Sequence, residues 1–189
     1  AEQFNWLKGQ LDFAKANDEL VILQSHHGTS GLAGSIKQSH FRELVASYEN
    51  VILHITGHGH FNDSSVYFDN SRGYWEVMLA SVVDFPSQSR IFEIVHEGKG
   101  IIDIYITNIE PNAPRDSFVD TGIRYAAARK FFGMSKDPLA EWQAESEHQN
   151  LILRTRVPER IYRNLDKYEW SSIIESVELL NKLDFKHSK

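Results

Sequence analysis

Cysteine is absent from all 189 residues, which excludes disulfides and every Cys-ligated zinc site. Any transition metal must then be held by histidine, carboxylate or amide groups. No apolar run approaches the ~20 residues needed to cross a bilayer, so no membrane partner is expected. Positive charge is short too: 20 Lys and Arg stand against 26 Asp and Glu, a net charge of −6 at pH 7. That balance gives no reason to expect nucleic acid or an anionic lipid surface as partner. Internal repeats and low-complexity tracts are also missing. What is left is an ordinary soluble composition, 41% hydrophobic and 24% charged, on a chain long enough for one sizeable core or two small ones. The chain opens without methionine and Glu2–Lys15 already reads as a helix, as an excised piece of a larger protein would. A targeting signal and a cellular compartment therefore cannot be read from it.

Histidine is what the chain concentrates. Six of its nine histidines fall between positions 26 and 60. Four of them form two clusters, Ser25-His26-His27-Gly28 after the apolar run Leu20–Leu23 and Gly57-His58-Gly59-His60 after Val51–Thr56. A strand fixes the backbone and a glycine beside it leaves room for ring nitrogens to converge on one ion.

The organisation supports that placement. Phe4, Leu7, Leu11 and Ala14 recur at helical steps and give the first helix one apolar face. Strand Leu20–Gln24, a helix over roughly Lys37–Tyr48 bearing Phe41, Leu44, Val45 and Tyr48 on one side, and strand Val51–Thr56 make a β-α-β unit. Nearly unbroken apolar runs mark its strands as parallel and covered on both faces. Ligands gather at the carboxyl ends of such strands, and a right-handed crossover puts both histidine clusters on one sheet edge. The runs Val66–Phe68, Tyr74–Val82, Arg90–Val95 and Ile101–Thr107, separated by short turns that include Asp84-Phe85-Pro86-Ser87, predict antiparallel hairpins. Beyond the prolines at 111 and 114 come a helix over about Asp120–Phe132, a short helix from Pro138 and a strand over Leu151–Val157. A Ser172–Glu175 capping box opens a last helix. The division expected is residues 1–110 as one domain and 111–189 as a mostly helical extension.

Individual residues carry different weights. His58 and His60 offer two imidazoles separated by one glycine. His26 and His27 are adjacent, and an extended backbone would point them apart. His26, which directly ends its strand, is the candidate ligand, while His27 supports the site from behind or contacts substrate. His54 inside the second strand reads as a hydrogen-bonded core residue, and His40 as a surface residue. His96, His148 and His187 have no companions and receive no role. The loop Gly28–Gly34 lacks the G-K-[ST] ending of a nucleotide-binding P-loop. Asp84, Gln88, Tyr74 and Trp75 read as turn and sheet packing.

The pattern resembles the C-terminal half of the calcineurin-like metallophosphoesterases. Gln3, Trp6, Leu7 and Leu11 match a Q-x-x-W-L-x-x-x-L helix, His26-His27 ends a strand with Gly28 where proline is usual, and Gly57-His58-Gly59-His60 meets G-H-x-H in full. The likeness covers roughly residues 2–62, and the tail beyond Pro111 looks similar to extensions in a bacterial subgroup. It implies an α/β fold, the C-terminal half of an α/β/β/α sandwich. It also implies His26 and His58 on one metal, His60 on a second, and two divalent Mn, Fe or Zn ions in the whole enzyme. Their bound hydroxide would attack a phosphate mono- or diester, with ions roughly 3.5–4 Å apart clamping the reacting oxygens. The family's D-x-H, G-D-x-x-D and G-N-H-[DE] segments, which supply the acid and the bridging aspartate, are not in this sequence. The chain therefore reads as a part that needs its N-terminal half, holds metal weakly or not at all and turns over no substrate alone. Its exposed apolar face would invite self-association. H-x-H also occurs in metallo-β-lactamases, but Phe61-Asn62-Asp63 fails that longer motif, and the chain is too short for an amidohydrolase barrel. The non-catalytic alternative is a metal-binding or interaction domain in which four ligands close around a structural ion.

Overall fold

A computed structural model describes residues 2–32, 37–69, 72–133 and 148–165. Helix α1 spans Glu2–Ala16 and buries Leu11 and Ala14. It ends where Asp18 turns left-handed (φ 56°) and the Glu19 amide bonds back to the Ala14 carbonyl at 2.9 Å, a helix-stopping geometry that short polar side chains tolerate. Strand β1 (Val21–Gln24), helix α2 (Gln38–Ala46) and strand β2 (Val51–Thr56) follow. The predicted β-α-β unit is present, with β1 and β2 parallel.

Next come β3 (Asp63–Asp69) and β4 (Arg72–Met78), which form an antiparallel hairpin. The first sheet runs β1-β2-β4-β3, with β4 parallel to β2. Strands β5 (Ser89–Gly98), β6 (Ile101–Ile109) and β7 (Leu151–Arg156) make a second, antiparallel sheet in that order. Helix α3 (Phe118–Gly133) precedes β7, and helix α4 (Glu159–Leu165) follows it.

One hairpin differs from the sequence expectation. β4 does not turn back onto β5 through Asp84-Phe85-Pro86-Ser87, because β2 and β3 already occupy both edges of β4. The chain instead crosses from one sheet to the other, and its turn is closed by the Ser87 amide on the Asp84 carbonyl and the Gln88 amide on the Ser81 carbonyl. The β5–β6 hairpin does form, with Gly98, Lys99 and Gly100 all at positive φ. Gly100 also packs too closely for any side chain, since a Cβ there would sit 2.3 Å from the Val157 carbonyl oxygen.

Two cores hold these layers. Leu11, Val45, Ala46, Tyr48, Val51 and Tyr74 pack α1 and α2 onto the first sheet. Ile52, Leu53 and Val77 from that sheet meet Ile102, Ile104, Ile106 and Leu153 from the second, with Val157 and Ile161 closing the end. The order is helices, sheet, sheet, so the protein is a mixed α/β fold with its sheets face to face. Residues from beyond position 110 share the inter-sheet core with β2 and β4. β2 is buried along almost its whole length, as a central parallel strand must be. The helices foreseen from Pro138 and Ser172, and His187, lie outside the described residues.

Candidate metal centre

Both histidine clusters emerge at the carboxyl ends of β1 and β2, on one edge of the sheet. The parallel ladder continues past the strands: the Ser25 amide donates to the Ile55 carbonyl at 3.1 Å and the Gly57 amide to the His26 carbonyl at 3.0 Å. These bonds draw the two loops together.

His26, His27 and His58 converge there, each offering a ring nitrogen, with all three nitrogens within 4.8 Å of one another. His58 Nδ1 lies 3.2 Å from His26 Nε2, and the His27 and His58 ring centroids are 4.0 Å apart. Two nitrogens bound at ~2.0–2.1 Å on a tetrahedral ion are roughly 3.3 Å apart, so the His26–His58 pair already has the spacing of such ligands. The neighbouring His27 ring, partial desolvation and then the His26 and His60 rings hold His58 below its ordinary pKa of 6.5. The ring is thereby favoured neutral, the form that offers a lone pair to a cation. Mutual repulsion of clustered imidazoles is relieved when they share an ion.

His27 is where the structure departs from the expectation drawn from adjacency. The chain bends at residues 26 and 27 rather than staying extended, so the two rings meet edge to face at 4.9 Å. His60 lies apart from the trio: its Nδ1 is 2.9 Å from Asp84 Oδ2. Asp84 is also paired with Arg129 of α3. Burial pushes the Asp84 carboxyl up, but hydrogen bonds from His60 and then Arg129 outweigh it and hold it below its usual range.

The loop that carries His58 and His60 is under local strain. Both have left-handed backbones, φ 70° and 58°, a conformation that costs non-glycine residues about 1–3 kcal/mol and recurs at functional sites. A Cβ on Gly59 between them would lie 2.5 Å from Met78 Sδ and 2.6 Å from the Phe61 ring, so both side chains would have to shift to admit one. Downstream, buried Asn62 donates to Gln88 Oε1 at 2.6 Å and accepts from the Ala80 amide at 3.1 Å. These bonds anchor the loop where it leaves the site.

Beneath the trio lies a buried polar network whose members come from separate strands and loops and carry no shared sequence signal. His54 Nδ1 is 2.8 Å from Glu76 Oε2 and its Nε2 is 2.7 Å from Ser25 Oγ. Glu76 also accepts the Thr29 amide at 3.0 Å and the Thr29 hydroxyl. Ser25 Oγ donates to the His27 carbonyl at 2.7 Å, so the network grips the backbone of the first histidine loop at both ends. His54 is thus a doubly bonded core histidine, as its place in an apolar strand predicts. A Cβ at Gly28 would come within 2.9 Å of Glu76 Oε1, so a larger residue there would press on the network. A Ser-His-carboxylate chain invites a nucleophile reading, but His54 is 1% exposed and cannot reach a leaving group. Its role is support.

Beside the trio is an open cavity of about 350 Å³, lined by Gln24, Ser25, His26, Thr56 and Gly57. The Thr56 hydroxyl is buried there without a hydrogen-bond partner among the described residues. His26 and His58 are exposed and His27 half-buried, and no carboxylate or further histidine completes the cluster among the described residues. An open three-imidazole edge suits a catalytic ion with free positions; a structural zinc closes four ligands. The donor set therefore fits a divalent ion of the Zn, Mn or Fe type.

No protein-family profile matches the chain and no curated protein sequence matches it. Among solved structures, it is similar to the crystal structure of a dimetal phosphatase from Danio rerio, with 18% identity and a TM-score of 0.44 over 58% of this chain. The match spans 35% of that protein's own chain, so this chain corresponds to about a third of its length.

Proposed function

We propose that this chain carries part of the metal centre of a divalent-metal-dependent phosphoester hydrolase. The carrying observation is the convergence of His26, His27 and His58 ring nitrogens within 4.8 Å at the carboxyl edge of parallel strands. In this reading His26 and His58 hold one ion, His60 belongs to a second, and His27 completes the first site or faces the substrate. A divalent ion bound there supplies positive charge that polarises a phosphoryl oxygen and stabilises charge developing on it. The chain's own contribution is placement. Ser25, His54 and Glu76 fix the first loop, and Asn62 and Asp84 fix the second. The open edge leaves room for a phosphate mono- or diester.

The sequence lacks D-x-H, G-D-x-x-D and G-N-H-[DE] segments, so in this reading the remaining ligands come from a segment outside these 189 residues. Exposed Trp6 (65%) and Phe13 (61%), seven residues apart on α1, support a further contact for that helix, either with the missing half or with a second copy. The test is the coding sequence ahead of Glu2 together with an assay. Finding the three motifs there, with Mn- or Zn-dependent phosphodiester hydrolysis by the longer protein and none by the 189-residue chain, supports the reading. Their absence, or robust turnover by this chain alone, overturns it.

A further inference from the structure

His60 has two ring nitrogens, and only one of them can serve a metal. Its Nδ1 lies 2.9 Å from Asp84 Oδ2. An aspartate carboxylate accepts hydrogen bonds and does not donate them, and the Arg129 guanidinium on the same oxygen keeps Asp84 in that ionised form. The proton of a neutral His60 ring must then sit on Nδ1, leaving the lone pair on Nε2. His60 is also held in a left-handed backbone, so this side-chain bond helps fix a loop conformation that histidine does not adopt freely. Asp84 lies on the segment crossing between the sheets, and Arg129 on α3, beyond the strands that carry the histidines.

We propose that Asp84 is a positioning residue that commits His60 to metal binding through Nε2, and that Arg129 from α3 holds Asp84 in place. The inference rests on the reading of His60 as a metal ligand. It gives the segment after residue 110 a part in the site: α3 acts on the metal edge through a two-link chain, Arg129 to Asp84 to His60. Carboxylates behind ligating imidazoles commonly change metal affinity by 10–100-fold on removal, because they set both ring orientation and basicity.

The experiment uses the 189-residue chain with ¹⁵N-labelled histidine, free of metal and above pH 8. Long-range proton–nitrogen spectra distinguish the two tautomers, and the His60 signals are identified by their loss in His60→Ala. The expected result is a proton on Nδ1 in the unaltered chain. Asp84→Ala should shift the ring toward the Nε2-protonated form, and Asp84→Asn, which keeps an acceptor oxygen, should restore the original form at least in part. Arg129→Ala should give a mixture of the two. A proton on Nε2 in the unaltered chain, or a tautomer indifferent to Asp84→Ala, overturns the proposal; indifference to Arg129→Ala overturns the part given to α3. Zinc(II) is then added to the same sample. Displacement of the His60 Nε2 signal with Nδ1–H retained supports both the positioning role and the ligand reading. Zinc that strips the proton from Nδ1 and moves that nitrogen instead overturns the commitment to Nε2, while the Asp84–His60 link in the metal-free chain is judged by the tautomer alone.

Discussion

Glu76→Ala should be among the most damaging single substitutions in this chain, although Glu76 touches none of the three clustered rings. The residue is 6% exposed and accepts from His54 Nδ1 at 2.8 Å and the Thr29 amide at 3.0 Å. His54 and Thr29 are themselves 1% and 0% exposed, so water cannot replace the lost acceptor. The Thr29 hydroxyl has an alternative in Tyr74 OH at 3.3 Å, which leaves two orphaned donors. At about 1–3 kcal/mol each, the loss is about 2–6 kcal/mol, against the 5–15 kcal/mol typical of whole domains. Urea unfolding followed by circular dichroism measures it. Glu76→Gln should lose less, because its amide oxygen still accepts one bond. The pH dependence separates the two contributions. Burial raises the Glu76 carboxyl, but bonds from His54 and then Thr29 outweigh it, so its folded pKa lies below the ordinary 4.5. Its charge-dependent stabilisation is therefore fully present above pH 4.5 and is lost as pH falls through the folded value. Glu76→Gln should show a shallower acid loss than the unaltered chain. A cost below about 1 kcal/mol for Glu76→Ala would refute the reasoning, since it would mean that the buried donors found other partners.

Other outcomes follow from the same geometry. Gly59→Ala should cost about 1–3 kcal/mol by overpacking against Met78 and Phe61, and should weaken zinc binding by displacing the rings on either side; unchanged stability and zinc affinity would show that the loop has slack. The chain should associate with rising concentration in sedimentation runs, and Trp6→Gln with Phe13→Gln should return it toward monomer; a monomer at all concentrations would leave the exposed α1 face without that role.

Much of the site's frame was legible because it depends on periodicity. The apolar runs at Leu20–Leu23 and Val51–Ile55, with Phe41, Leu44, Val45 and Tyr48 between them, dictate a parallel β-α-β unit and hence one shared edge for the histidines. Three features were not legible, each for a physical reason. His27 joins His26 because the chain bends after Ser25, and a bend held by a serine-to-carbonyl bond leaves no mark in hydrophobic pattern. Glu76 meets His54 because β4 lies parallel to β2 with those residues in register, whereas strand composition does not name a strand's neighbour. The same ambiguity made β4 and β5 read as a hairpin. Asp84 reaches His60 across 24 positions through a crossing segment that reads as an ordinary turn. The left-handed φ values at His58 and His60 were foreshadowed only by the flanking glycines.

The most direct measurement is a zinc(II) titration of the unaltered chain against His26→Ala, His27→Ala and His58→Ala, read from imidazole nitrogen shifts. The account predicts that one ion moves the His26 and His58 signals together, with His27 following if it completes the site, and that His26→Ala or His58→Ala weakens binding at least as much as the roughly tenfold typical of losing a partner behind a ligand. Zinc that leaves those rings unmoved, or binds equally well without them, would contradict it.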